Sequence, residues 1–136
     1  MVTVPVSVGE LIDKLSILQV KKGKVKNPDK LKFIEKEYDL LYDMCIEYFQ
    51  DADILLTFKE LIDVNLKLWN IEDELRVIEN TKDFGSHFIE LARAVYYTND
   101  ERFRLKDKIN TLTNSEIKEQ KDYKEYKWSL QQFNLI

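Results

Sequence analysis

The sequence has one cysteine, one histidine, three glycines and two prolines in 136 residues. A lone Cys45 cannot form an intramolecular disulfide, so nothing here argues for an oxidising compartment. A lone His87 leaves no material for a histidine metal cluster, and its expected place at a solvated helix start argues against a Ser-His-Asp arrangement. The glycines stand apart at 9, 23 and 85, which excludes a glycine-rich phosphate loop. No apolar run approaches the ~18 residues of a membrane span. The segment Met1–Val6 has neither a charged leader nor a cleavage motif and does not read as a signal peptide, so cytoplasmic residence is expected. Net charge is −4, the wrong sign for a nucleic-acid binder. The one basic run, Lys21 to Lys26, has no interleaved aromatics and reads as a solvated loop.

What is abundant is charge, at 34%, mixed with 44% hydrophobic residues and few helix breakers. That combination suits long helices with one solvated face. The length fits one domain able to bury a core without metal or disulfide support. Residues 1–7 read as an extended arm. Ser7 with Glu10 makes a capping box for a helix over 8–22, whose apolar positions include Val8, Leu11, Ile12, Leu15 and Leu18. Asn27-Pro28 opens a second helix over 28–49. Its stripe Leu31, Ile34, Tyr38, Leu41, Cys45, Tyr48 steps by three and four, a heptad seam on which Cys45 reads as a small buried hydrophobe. Asp51 or Asp53 caps a third helix over 53–79, and Ser86 a fourth over 86–110. A short helix over 114–128 and an irregular tail over 131–136 complete the expectation. The fold class is all-α, an up-and-down helical bundle built on a long antiparallel hairpin.

Polar residues interrupt the apolar stripes of that hairpin. The third helix admits Asn65, Trp69, Glu72 and Asp73; the fourth admits Arg93, Asn99, Asp100, Arg102 and Lys106. With the turn near 82 or 83, antiparallel partners set Glu72 opposite Arg93, Asn65 opposite Asp100 and Asp63 opposite Arg102. Unpaired carboxylates inside a bundle cost several kcal/mol or take up a proton, so a paired polar layer is expected. It would fix helix register. The alternative is a ligand or metal site, with acids holding a cation and Arg, Lys and Asn an anion.

Several stretches carry a resemblance. They are Val4 to Lys14, Leu68 to Asp73, Phe84-Gly85 with Phe88 to Arg93, Thr98 to Asp100 with Arg102, Lys106 and Asn110, and Glu119 to Tyr123. Together they resemble a family of small bacterial and bacteriophage proteins, domain of unknown function 6165. The resemblance implies no activity, and an association of some relatives with glycan assembly is its only functional pointer. A second family of unknown function is similar over Trp69 to Asn110 alone. The chain is also loosely similar to all-α nucleoside triphosphate pyrophosphohydrolases, which bind Mg²⁺ through helix carboxylates three or four apart. Glu10 with Asp13 and Glu60 with Asp63 have that spacing, and Asn99 to Arg104 resembles a basic segment of that superfamily. The chain departs at the Glu-x-x-Glu expected on the preceding helix, since Tyr38 stands three after Glu35. The sequence therefore favours a non-catalytic interaction or accessory domain without cofactor, self-associating through exposed parts of its seams. The alternative is an Mg²⁺-dependent hydrolase of a phosphorylated small molecule.

Overall fold

Strong capping sets the element boundaries. In the computed structural model, which describes residues 1–127, Ser7 Oγ accepts from the Glu10 amide and opens α1, Val8–Lys24. Asn27 Oδ1 accepts from the Asp29 and Lys30 amides ahead of α2, Pro28–Cys45. Asp51 does the same for α3, Ala52–Thr81, through the Asp53 and Ile54 amides. α4, Ser86–Leu112, begins after Gly85, so Ser86 is its first residue rather than its cap. The α3–α4 turn closes with Lys82 in the left-handed region, φ 58°, its amide donating to the Ile78 carbonyl.

The four helices run up and down, and no strand occurs among the described residues. α1 is central, packing on α2 on one side and on the α3–α4 pair on the other. Leu11, Ile12 and Leu15 of α1 meet Cys45, Ile54, Leu61, Leu105 and Ile109 in the lower core. A smaller cluster, Ile71, Leu91 and Ala94, joins only α3 and α4 higher in the hairpin. The seam of α2 faces inward: Tyr38 and Leu41 pack against the lower core, as does Tyr48 beyond the end of the helix. The large hydrophobic residues left exposed on α2 are instead Phe33, Leu40, Tyr42 and Met44.

Other expectations fail besides the Ser86 cap. α1 runs through Lys24, so most of the basic run read as a loop is helical. The second helix stops at Cys45, and the chain reaches α3 through a 3₁₀ turn, Tyr48–Gln50. The turn carries Phe49 onto Phe58, ring centroids 4.7 Å apart, a contact that buries an aromatic surface. The short last helix is absent from the described part of 114–128: residues 114–127 are non-helical. Asn114 takes φ 49°, and Ser115 Oγ accepts from the Val8 amide while donating to the Ile117 carbonyl. The long-range bond to Val8 and the local one to Ile117 fix the start of the segment, and Glu119 and Tyr126 tie it along α4 through Lys106 and Asp100. The irregular tail expected over 131–136 lies outside the described residues.

Candidate functional site

A ladder of polar contacts ties α1 to α4, antiparallel, its rungs one helical turn apart on α4 at 110, 106 and 102 and meeting positions 9, 10 and 13 of α1. At the bottom, the Gly9 amide donates to Asn110 Oδ1 at 2.7 Å. A Cβ at position 9 would lie 2.3 Å from the Lys106 carbonyl oxygen, so only glycine allows this approach. On the middle rung Lys106 Nζ sits 2.7 Å from Glu10 Oε2 and 2.9 Å from Glu119 Oε2. On the top rung Arg102 forks onto Asp13, Nε to Oδ1 at 3.0 Å and Nη2 to Oδ2 at 2.6 Å. Asp13 is fully buried, while 27% of the Arg102 side chain is exposed. Asn65 on α3 completes the rung, its Nδ2 donating to Asp13 Oδ1 at 3.0 Å and to Ser16 Oγ at 2.7 Å. Ser16 in turn donates to the Asp13 carbonyl at 2.6 Å. No buried side-chain nitrogen or oxygen among the described residues lacks a partner.

Electrostatics follow the geometry. The hydrogen bond to Asp13 holds the Arg102 guanidinium even further above its ordinary range. Burial works against the charge of Lys106, and the bonds to Glu10 and Glu119 outweigh it, leaving the ammonium raised. The Lys106 bond holds the Glu119 carboxyl below its ordinary value, with Lys121 Nζ adding a contact at 3.3 Å. Burial raises the Tyr126 phenol, and its hydrogen bond to Asp100 adds to the effect.

These contacts fasten residues 115–126 along α4. Tyr126 packs its ring against Tyr96 and Tyr97, and Lys121 Nζ stands 5.6 Å from the Phe103 ring centre. Between α4 and this segment lies a cleft of about 530 Å³. Its charged lining is Arg102, Lys106, Lys121 and Lys124 against Asp100 alone; Tyr96, Phe103, Tyr123 and Tyr126 supply aromatic walls. A second hollow of about 520 Å³ opens between α1 and α3 and includes Asn65, Trp69, Glu72, Asp73, Asn99 and Arg102.

The structure thus brings together most of the hairpin residues singled out by sequence, but not in the expected pairs. Glu72 bonds Arg76 one turn along its own helix, and Arg93 bonds the Tyr97 hydroxyl, so the two do not pair with each other. Closest approach of α3 and α4 at that level is taken by Ile71, Leu91 and Ala94, which leaves 72 and 93 on the flanks. Asn65 turns to Asp13 rather than Asp100, and Asp100 meets Tyr126. Arg102 likewise takes Asp13 in place of Asp63. Of the carboxylates considered for a metal, Glu10 and Asp13 neutralise Lys106 and Arg102, and Asp63 is exposed on α3. Among the described residues no three acidic, histidine or cysteine side chains converge on a possible metal position. His87 is exposed and meets Glu74 at 2.6 Å. Cys45 is fully buried, which pushes its thiol up to about 12. Sequence reasoning missed Ser16 and the contributions of Lys121, Lys124 and Tyr126. A signal for the first existed: Gly9, Asp13 and Ser16 line one face of α1 with small or polar side chains.

The profile of one family, described as a Family of unknown function (DUF6165), matches residues 2–129. No curated protein and no solved structure matches the chain. The chain belongs to that family.

Proposed function

We propose that the chain is a non-catalytic accessory domain that holds a phosphorylated, ring-bearing small molecule between α4 and residues 121–126. One observation carries the reading: the cleft gathers Arg102, Lys106, Lys121 and Lys124 in its wall with the single carboxylate of Asp100. Although Arg102, Lys106 and Lys121 are bridged to Asp13, Glu10 and Glu119, it is their cationic groups and not those acids that line it. Positive charge concentrated in a concave site draws anions. The Asp100 carboxylate is itself engaged by the Tyr126 hydroxyl. Lys121 and Lys124 come from the extended segment and Arg102 and Lys106 from α4, so an anion is approached from two sides. The aromatic walls offer faces on which a planar ring stacks.

The hydrolase alternative draws less support from these side chains. Metal-assisted hydrolysis uses converging carboxylates to place one or two cations. Here the buried acid Asp13 is held in a fork with Arg102, and a cation would have to displace Lys106 from Glu10. A thiol pushed up to about 12 is not a nucleophile at neutral pH.

The test is a thermal-shift and calorimetric titration with purine and pyrimidine nucleotides against the matching nucleosides. Nucleotides at a hundredfold excess over Kd should stabilise the fold by about 2.7 kcal/mol. Nucleosides should do little, and the K121A/K124A double variant should lose the response. Equal responses to nucleotide and nucleoside, or none to either, would refute the reading.

A further inference from the structure

The cationic cleft shares two residues with the hollow on the other side of α4. Asn99 and Arg102 line both. We propose that the two are halves of one elongated site, and that the second half takes a hydroxyl-rich sugar ring joined through phosphate to the head in the first. The ligand class is then a nucleotide-sugar. This extends the anion-binding reading above and rests on it.

The chemistry of the second hollow selects its occupant by exclusion. Glu72 and Asp73 would repel a phosphate. Arg76 and Arg102 would repel an ammonium group. A plain hydrocarbon would strip water from the Asp73 carboxylate, from the Glu72–Arg76 pair and from the outer edge of Arg102, at a desolvation cost. Sugar hydroxyls both donate and accept, so one ring satisfies the acceptor-only carboxylates, the donor-only guanidinium groups and the two-way amide of Asn99. Trp69 is half-buried in the same wall. An indole face is electron-rich, and the weakly positive C–H face of a pyranose stacks against such a surface.

Arg102 supplies the joint. Its Nε and Nη2 are fixed by Asp13, so the guanidinium is held in one orientation before any ligand arrives. The rest of its planar fork is available where the two hollows meet, the position a linking phosphate would occupy. A group already immobilised loses little further freedom on binding. Either hollow alone has the volume usual for a small-molecule site.

The experiment compares UDP with UDP-glucose, ADP with ADP-glucose and GDP with GDP-mannose by calorimetry on the full chain. At least one sugar conjugate should bind tenfold or more tighter than its own diphosphate. Trp69→Ala should remove that gain while leaving the diphosphate affinity within twofold. Asp73→Asn, an exposed position unlinked to the core, should remove most of it too, which guards against a fold effect of losing the indole. Conjugates that bind no tighter than their diphosphates would overturn the two-part site and leave the anion cleft standing. Equal loss of diphosphate and conjugate in Asp73→Asn would also overturn it. Failure of every diphosphate and conjugate to bind would overturn both readings.

Discussion

Removing Arg102 strands a fully buried carboxylate. In Arg102→Met, Asp13 keeps only the amide of Asn65 as a side-chain donor. Breaking a buried ion pair by deleting one partner typically costs 3–5 kcal/mol. The side chain of Arg102 is 27% exposed, so water can enter where it stood, and the lower end of that range, about 3 kcal/mol, applies. For a chain of this length that is roughly 10 °C in Tm. Asp13→Leu should cost less, about 2 kcal/mol, because the stranded guanidinium can lean toward solvent. The Asp13→Leu/Arg102→Met double variant leaves no orphan charge, and Asn65 keeps its bond to Ser16. It should cost about 2 kcal/mol, near the Asp13 variant alone, giving a coupling of about 3 kcal/mol. Urea melts of the four proteins, without ligand and at neutral pH, supply the cycle. A coupling below about 0.5 kcal/mol would show that the fork contributes nothing to holding α1 on α4.

Gly9→Ala should destabilise by about 3 kcal/mol, since its methyl would meet the Lys106 carbonyl at 2.3 Å and force the helices apart; Gly23→Ala, which meets nothing within 4 Å, should be neutral or stabilise by up to ~1 kcal/mol, and the same melts compare them. Docking of residues 115–126 should depend on pH. Glu119 is lowered by Lys106, so its contribution is present above its unfolded value near ~4.3 and lost as pH falls through the lower folded value. Lys106 is raised, so its contribution is present below its unfolded value near ~10.4 and lost as pH climbs through the higher folded value. Hydrogen exchange of the segment should show protection between these limits and loss at both ends; uniform protection through pH 3 would contradict the latch. Phe33, Leu40 and Met44 leave an apolar edge on α2 that should drive homodimerisation at micromolar concentration, with Phe33→Asp returning the protein to monomer; sedimentation showing only monomer in the parent would remove this expectation.

Local chemistry made the helices legible in the sequence. Ser7, Asn27 before Pro28, and Asp51 act within four residues of themselves, and each side chain caps its helix as the spacing implies, although the Glu10 carboxylate of the expected capping box turns to Lys106. The partners of the polar layer were not legible, because they depend on which helix lies against which. Pairing across the α3–α4 turn assumed that each hairpin residue answers the one opposite. The structure instead inserts α1, and Asp13 collects Asn65 and Arg102 from both helices of the hairpin. Nor does a propensity for helix over 114–128 survive the bonds Ser115 makes to Val8 and Ile117. There one long-range bond and one local side-chain bond outweigh a weak helical preference.

The ladder also dictates when the fold can form. Asp13 and Arg102 are 89 residues apart in the chain, and Gly9 and Asn110 are 101 apart. Contacts of such separation close late, because the loop entropy must be spent before they return anything. At a synthesis rate of ~5–20 residues per second, Arg102 leaves the peptidyl transferase centre roughly 4 to 18 s after Asp13. Throughout that interval α1 has its Ser7 cap but no counter-ion for the carboxylate in its middle, which therefore stays hydrated. That hydration keeps the Asp13 face of α1 from committing to a premature partner, since burying Asp13 without Arg102 would cost several kcal/mol. Burying the Asp13 face of α1 against α4 at low cost therefore has to wait for Arg102, whereas packing of α1 on α2 does not.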